Sequence, residues 1–540
     1  MTQPYQYEYV FETKDKLYAR IYDPNTNTSE LKQYHKSEYI PPLYLPAKEG
    51  EYTSHVKEST ILKEYTFGSM QDYRDFYANY ENSTLVLHGN KSIIQHYIRT
   101  NFPDTEASNH EFRGWHLDIE TRNIIKDMPF NEKASKALEE ISLVQFYDTY
   151  EKEFYLLTTK DYDFKYTTEL GKINFIVYAN EYDMMRAFVK MLKTKDPVYL
   201  NGFNTYMFDY PYIIKRLRIL GIAPEHLSPV GMIKSKPATN KDGIEYEHYD
   251  IVGRILLDYR ELYLKYSFAK LPRYNLESIA TYELGEGKVN HDEFTDFEDF
   301  YQNNYGLFLE YGNKDIELLI MLENKLKLIE TAKFIAYKCG VNIPEVFGTY
   351  KQWHSYMYNK ALSLNIVLPI KQQYRDESDG FPGGWVVSKP GKYDWIISFD
   401  YAQLYPSCIK SLNYGLDTLV KPEEMSDELK YIKDKYFSWY TIERCDELKV
   451  LNNNNAEHEH IQYIMANKEE IHGVLQKYNV CASPNGYFYR KDKISIYSKL
   501  LRQLGDERGV AKKNIKKYSN LYERVLLEIN ERKKKLNAKP

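Results

Sequence analysis

The sequence predicts a multidomain α/β protein: a β-rich N-terminal domain, a domain in which strands alternate with helices, and a mixed α+β and helical remainder. Three observations carry this. At 540 residues the chain is too long for one ordinary domain, and its length suggests roughly three or four. The first 110 residues alternate short Tyr-rich strand patterns with polar turns, and beyond Trp115 buried strand patterns interleave with helical ones. With 43% hydrophobic and 28% charged residues, large cores can form and global disorder is disfavoured.

In chain order, YQYEYVF and LYARIYD read as strands without a catalytic signature. HLDIE, ISLVQFY and EFYLLTT read as successive strands. VYLNGFN reads as a buried strand ending in a Gly/Asn loop, and DYPYIIKRLRIL opens a helix. Strands interleaved with helices indicate a mixed sheet. Between 234 and 258 a DG turn separates two polar strands, which predicts a projecting hairpin. IELLIMLENKLKLIETAKFIAYKC reads as one long helix and WIISFD as a short buried strand. LNNNNAEHEH is a low-complexity loop whose His458 and His460 are expected to be solvated, since two His without a third ligand make a poor metal site. From Ile494 to Leu536 apolar residues recur at helical spacing among many Lys and Arg, which predicts two long helices. There is no internal repeat.

Composition excludes several function classes. The four cysteines (Cys339, Cys408, Cys445, Cys481) lie far apart with no CxxC pair. That argues against a zinc site or a disulfide framework and suits a reducing cytoplasm. The N-terminus has no basic start followed by an apolar run, and no stretch approaches the ~18 apolar residues of a membrane span. The 54 tyrosines read first as a compositional habit, and only second as rings for stacking on bases. Net charge is −5, but residues 491–540 carry 15 Lys/Arg against 6 Asp/Glu. This segregation fits a basic arm facing phosphates as well as it fits a solvated helical tail.

Chemistry enters with the acids. Asp118 and Glu120 stand two apart in GWHLDIETR, so on a strand both carboxylates share one face while Leu117 and Ile119 turn to the core. Two adjacent acids repel, and a divalent ion removes that penalty. Taken singly, a DxE is more often just an exposed strand face. Asp209 precedes Pro211 at the start of a helical pattern and singly reads as a helix N-cap. Tyr311 and Asp315 stand four apart, one above the other on a helix. Together, acids in this order with a Tyr one turn before the last suit two-metal phosphodiester hydrolysis. Oxygen ligands favour Mg²⁺ or Mn²⁺, and a phenol can orient the attacking water.

DIE, NGFNTYMFDYPY and YGNKD resemble the three exonuclease motifs of family B DNA polymerases, whose proofreading domain has a ribonuclease-H-like fold. The resemblance implies that Asp118, Glu120, Asp209 and Asp315 ligate metal and that Tyr311 positions the water. It implies that Asn204 and Phe208 shape the pocket for a displaced 3′ end. SFDYAQLYPSCIKSLN resembles the family's first polymerase motif. There Asp400 and the Tyr401 carbonyl would bind two catalytic ions, with the backbone of Gln403 and Leu404 near the triphosphate. The Tyr405 ring would exclude ribonucleotides. The family usually has Ser where Gln403 stands. FPGGWVV resembles the element that touches the template, through Phe381, Gly383 and Gly384, with Phe in place of the usual Tyr. Arg508 and Lys512 match fingers residues that hold the incoming dNTP. The hairpin resembles the element that parts primer from template.

The resemblance runs almost the whole length and is nearest to enzymes of T-even-type bacteriophages. It implies an N-terminal domain over 1–112 plus 330–376, a 3′→5′ exonuclease over 113–329, a partial palm over 377–494 and the first part of the fingers over 495–540. No second fingers motif and no DTD triplet occur in the sequence. The expectation is therefore a split polymerase whose second chain supplies both motifs and the thumb. A free-standing exonuclease and a non-catalytic DNA-binding scaffold are the alternatives. Implied partners are primer–template DNA, single-stranded 3′ ends, dNTP and a sliding clamp, with no membrane.

Overall fold

The computed structural model describes residues 5–537 except 57–59, 82–85, 104–109, 127, 240–242, 291–292, 295, 371–389, 402 and 438–461. FPGGWVV and LNNNNAEHEH therefore lie outside the described residues. The chain forms two compact units, 1–43 with 65–85 and 89–363, and 44–64 with 86–88 and 364–540.

The first unit opens with an antiparallel sheet of β1 (Gln6–Glu12), β2 (Lys16–Asp23) and β3 (Thr28–His35). Its middle strand buries Leu17, Ala19 and Ile21 on one face and Arg20 and Tyr22 on the other, so its second half is covered on both sides. The centre of the unit is a six-stranded mixed sheet. Its strands are β4 (Gly114–Thr121), β5 (Ile141–Asp148), β6 (Glu153–Thr158), β7 (Lys172–Val177), β8 (Tyr199–Gly202) and β11 (Ile255–Asp258). Their order is β7-β6-β5-β4-β8-β11. Strand β4 pairs antiparallel with β5 and parallel with β8. The expected hairpin forms from β9 (Ile233–Thr239) and β10 (Glu245–Ile251), with Gly243 at φ 79° in its turn.

Alternation in β4 sets the layers. Trp115, Leu117 and Ile119 join one apolar core with Met184, Met185 and Phe188 of α1 (Glu181–Lys195) and Ile213, Ile214 and Leu217 of α2 (Asp209–Ile219). The other face of β4 carries Asp118 and Glu120 and meets helix α5 (Tyr305–Leu326), which follows α3 (Tyr259–Tyr266) and α4 (Phe297–Asn303). The single helix expected over 316–339 is two. Helix α5 ends at Lys327, which turns left-handed at φ 54°, and α6 (Leu328–Cys339) starts afresh. The cause is Glu323, whose Oε2 accepts the N–H groups of Leu328 at 3.0 Å and Ile329 at 3.2 Å. A carboxylate on free N–H groups begins a helix, so the periodic pattern continues through a break it does not reveal.

In the second unit, five short strands pair in the order 366–367, 52–54, 61–65, 43–46, 88–89. Helix α7 (Leu404–Leu412) precedes a hairpin of β12 (Val480–Ala482) and β13 (Phe488–Arg490). Val420, Leu429, Ile432, Tyr436, Val480 and Phe488 form its core. Two expectations fail here. WIISFD is not a strand: Trp395, Ile396, Ile397 and Phe399 are exposed and lie in no described ladder. A strand needs a neighbour to take its N–H and C=O groups, and apolar character alone cannot supply one. The two helices expected over 494–536 are one, α8 (Ile496–Asn537). No proline interrupts it, and neither Gly505 nor Gly509 is among the glycines of positive φ. Among the described residues no helix is long and apolar enough to cross a membrane.

Candidate metal centre

Strand β8 stops at Gly202, opposite the middle of β4, because its pairing reaches only His116. Gly202 packs so close that a Cβ there would lie 2.4 Å from the Leu117 carbonyl oxygen and 2.3 Å from Thr205 Cγ2. Only glycine permits that approach. The chain then turns through Asn204 at φ 62°, whose N–H donates to Asp258 Oδ1 at 3.0 Å. It re-enters as α2 at Asp209. The helix-cap reading of Asp209 is corrected: Phe208 holds the cap position, and Asp209 Oδ1 accepts the Ile119 N–H of β4 at 3.1 Å. Phe208 beside it rests its ring against Tyr212.

Helix α5 brings the remaining acid. One carboxyl oxygen each from Asp118, Glu120 and Asp315 lies within 4.8 Å of the others. Tyr311 sits one turn before Asp315, its ring walled by Phe297 and Phe300. Asp209 is almost fully buried, at 2% exposure, and adjoins Asp118 through the strand it bonds. All four acids expected from sequence therefore share one neighbourhood, three in a tight cluster and Asp209 at the strand edge beside it.

Electrostatics mark the cluster as short of positive charge. Asp118 and Glu120 keep some solvent contact, yet the protein around them desolvates both carboxyls and pushes both upward. For Glu120 the charges of Asp118 and Asp315 add to the rise, and for Asp118 the ammonium of Lys288 opposes it. Burial raises Asp209 well above the carboxylate range, with Asp118 adding to it. Burial likewise pushes Asp315 up to about 7, against the pull of Lys288.

Two residues of this site escaped the sequence reading. Lys288 Nζ donates to Asp315 Oδ2 at 2.5 Å and to the Tyr311 hydroxyl at 2.9 Å. Nothing in GEGKVN marks it, because its role depends on a fold contact with α5. Gln145 Nε2 donates to Asp118 Oδ2 at 2.7 Å. Here a signal existed: Gln145 is the one polar side chain in the middle of the apolar run ISLVQFYD.

In the second unit, Asp400, Tyr401, Gln403, Leu404 and Tyr405 are exposed around the start of α7, with Gln403 left-handed at φ 55°. Arg508 and Lys512 are exposed one turn apart on α8. Among the described residues, no second acid cluster of metal-holding geometry accompanies Asp400. Phe381, Gly383 and Gly384 lie outside the described residues.

Comparison with known proteins gives the family. Residues 82–279 match the family described as DNA polymerase family B, exonuclease domain, and residues 348–539 match DNA polymerase family B. The chain belongs to the family B DNA polymerases. It is 27% identical to the DNA-directed DNA polymerase of Enterobacteria phage T4 over 407 residues, 71% of this chain and 44% of that one. To the DNA-directed DNA polymerase of Escherichia phage RB69 it is 24% identical over 435 residues, 75% of this chain and 46% of that one. It also matches the DNA polymerase delta catalytic subunit of Arabidopsis thaliana at 28% over 268 residues, 47% of this chain and 24% of that one. This family B chain thus spans under half the length of the phage relatives it matches, and it carries the family's exonuclease domain.

Proposed function

We propose that this chain is the proofreading part of a DNA polymerase, a divalent-metal-dependent 3′→5′ exonuclease acting on single-stranded 3′ ends of primer–template DNA. The observation that carries the reading is the convergence of Asp118, Glu120 and Asp315 on one space beside Asp209. The residues fit a pair of Mg²⁺ or Mn²⁺ ions. The donors are all carboxylate oxygens, as hard cations prefer, and Asp315 Oδ1 is buried without a hydrogen bond. Such ions supply Lewis-acid stabilisation of the leaving 3′ oxygen and a more acidic attacking water. Asp118, Glu120, Asp209 and Asp315 would hold them.

The protein's own groups do the rest. Lys288 donates to the Tyr311 oxygen and so fixes the phenol beside the acids, where it would orient a water or a phosphate oxygen. The aromatic wall of Phe297 and Phe300 fixes that ring. Asn204 and Phe208, beside Asp209, would bound the pocket for the terminal nucleotide. The test is degradation of a 5′-labelled single strand in Mg²⁺. Asp118→Ala with Glu120→Ala should lower the rate at least about 100-fold with the fold intact. Undiminished cleavage by that variant would sink the reading.

For synthesis, Asp400 and the Tyr401 carbonyl would hold the catalytic ions. Gln403, Leu404 and Tyr405 would meet the dNTP, Arg508 and Lys512 its triphosphate, and Phe381, Gly383 and Gly384 the template. Two-metal nucleotidyl transfer needs a further palm carboxylate. We take its source to be a second polypeptide, covering α8. Support comes from an exposed apolar stripe on that helix, Ile515, Tyr518, Tyr522, Val525 and Ile529, at alternating spacings of three and four. A primer-extension assay on the 540-residue chain decides this: template-directed extension by the chain alone would defeat it.

A further inference from the structure

Gln145 is wholly buried on β5, directly across from Asp118 in the antiparallel ladder. Its two amide ends do different things. Nε2 holds Asp118 Oδ2 at 2.7 Å. Oε1 is buried and has no hydrogen-bond partner. It points instead at the backbone of α5, where a Cβ on Gly312 would lie 2.1 Å from Oε1 and 2.9 Å from both Cδ and Nε2. Gly312 stands between Tyr311 and Asp315 on the same helix. An unsatisfied buried carbonyl costs free energy, so the amide is held in this orientation by the carboxylate it serves and by the absence of a side chain at 312.

We infer that Gln145 is a positioning residue of the metal centre: it pins one oxygen of Asp118, leaves the other to ligate, and depends on Gly312 for room to do so. The inference rests on the exonuclease reading above and extends it to the support of its ligands. Groups that hydrogen-bond a ligating carboxylate fix its orientation, and their loss typically costs about 10–100-fold in metal affinity or activity. The carboxylate, helix and amide form one linked set. Asp118 is oriented by β5, and the helix carrying Tyr311 and Asp315 can pack against β5 only because 312 is bare.

The experiment uses the full chain without DNA, with Mn²⁺ as the probe in titration calorimetry, and reads strand degradation against Mg²⁺ concentration separately. Gln145→Met keeps the length and bulk of the side chain but donates nothing. It should weaken Mn²⁺ binding by about 10–100-fold and raise the Mg²⁺ needed for half-maximal cleavage in step, with the rate recovering at saturating metal. Gly312→Ala should show the same pattern by displacing the amide, and added to Gln145→Ala it should cost no further affinity. Wild-type metal affinity in Gln145→Met, or additive losses in the double variant, overturns the inference alone. A wild-type protein that neither binds Mn²⁺ nor degrades a 3′ end overturns the exonuclease reading, and the inference with it.

Discussion

Asp118, Glu120 and Asp315 face one another with the ammonium of Lys288 beside them. Such a centre costs stability until a cation arrives. An acid whose folded pKa is raised is favoured when protonated, so its penalty is absent below its unfolded pKa and grows as pH climbs. For Asp315 that window runs from the ordinary 3.8 to about 7. In EDTA the melting temperature should therefore fall across this range, and Mg²⁺ should restore it most at the upper end. Asp118→Asn with Glu120→Gln should melt higher than wild type in EDTA, gain nothing from Mg²⁺ and lose cleavage. Thermal scans with and without Mg²⁺ check the melting outcomes, and a strand-degradation assay checks the loss of cleavage. The acids were legible because their spacing predicts a shared strand face and a shared helix face. Lys288 was not, since its partners lie 23 and 27 residues away and no local pattern encodes them.

At the scale of elements, strong periodicity was legible and its interruptions were not. The strands from HLDIE to VYLNGFN and the hairpin appear where alternation and the DG turn place them. The break at Lys327 depends on the Glu323 carboxylate turning back onto N–H groups, which hydropathy does not register. WIISFD has strand composition without a described partner, and the long α8 has no stop signal to divide it. Gly202 is the element-scale feature with the sharpest consequence. Gly202→Ala places a methyl against backbone as well as side chain, so β4 and the loop must part. We expect a loss of about 1–3 kcal/mol in urea unfolding, with cleavage reduced beyond what the stability loss explains.

For the whole molecule, basic charge is segregated toward residues 491–540. The 15 Lys/Arg of residues 491–540 fall largely on α8, which also carries the uncovered stripe. DNA affinity should fall steeply and linearly in log–log terms as salt rises, read by fluorescence anisotropy, and replacing Lys512 and Lys513 by Gln should flatten that slope. If the proposed second polypeptide covers α8, Ile515→Asp with Val525→Asp should abolish that association, checked by light scattering, while nuclease rates stay at the wild-type level. The segregation was legible in composition. Which residues of the helix stay bare was not, since burial depends on neighbours.

The short reach of β8 makes Asp209 a surrogate rung of the sheet as well as an acid. A knockout allele built there orphans the Ile119 amide inside the domain, so its phenotype mixes lost chemistry with a loosened edge. Genetic null strains are cleaner when made at Glu120, whose carboxylate accepts no backbone N–H among the described residues.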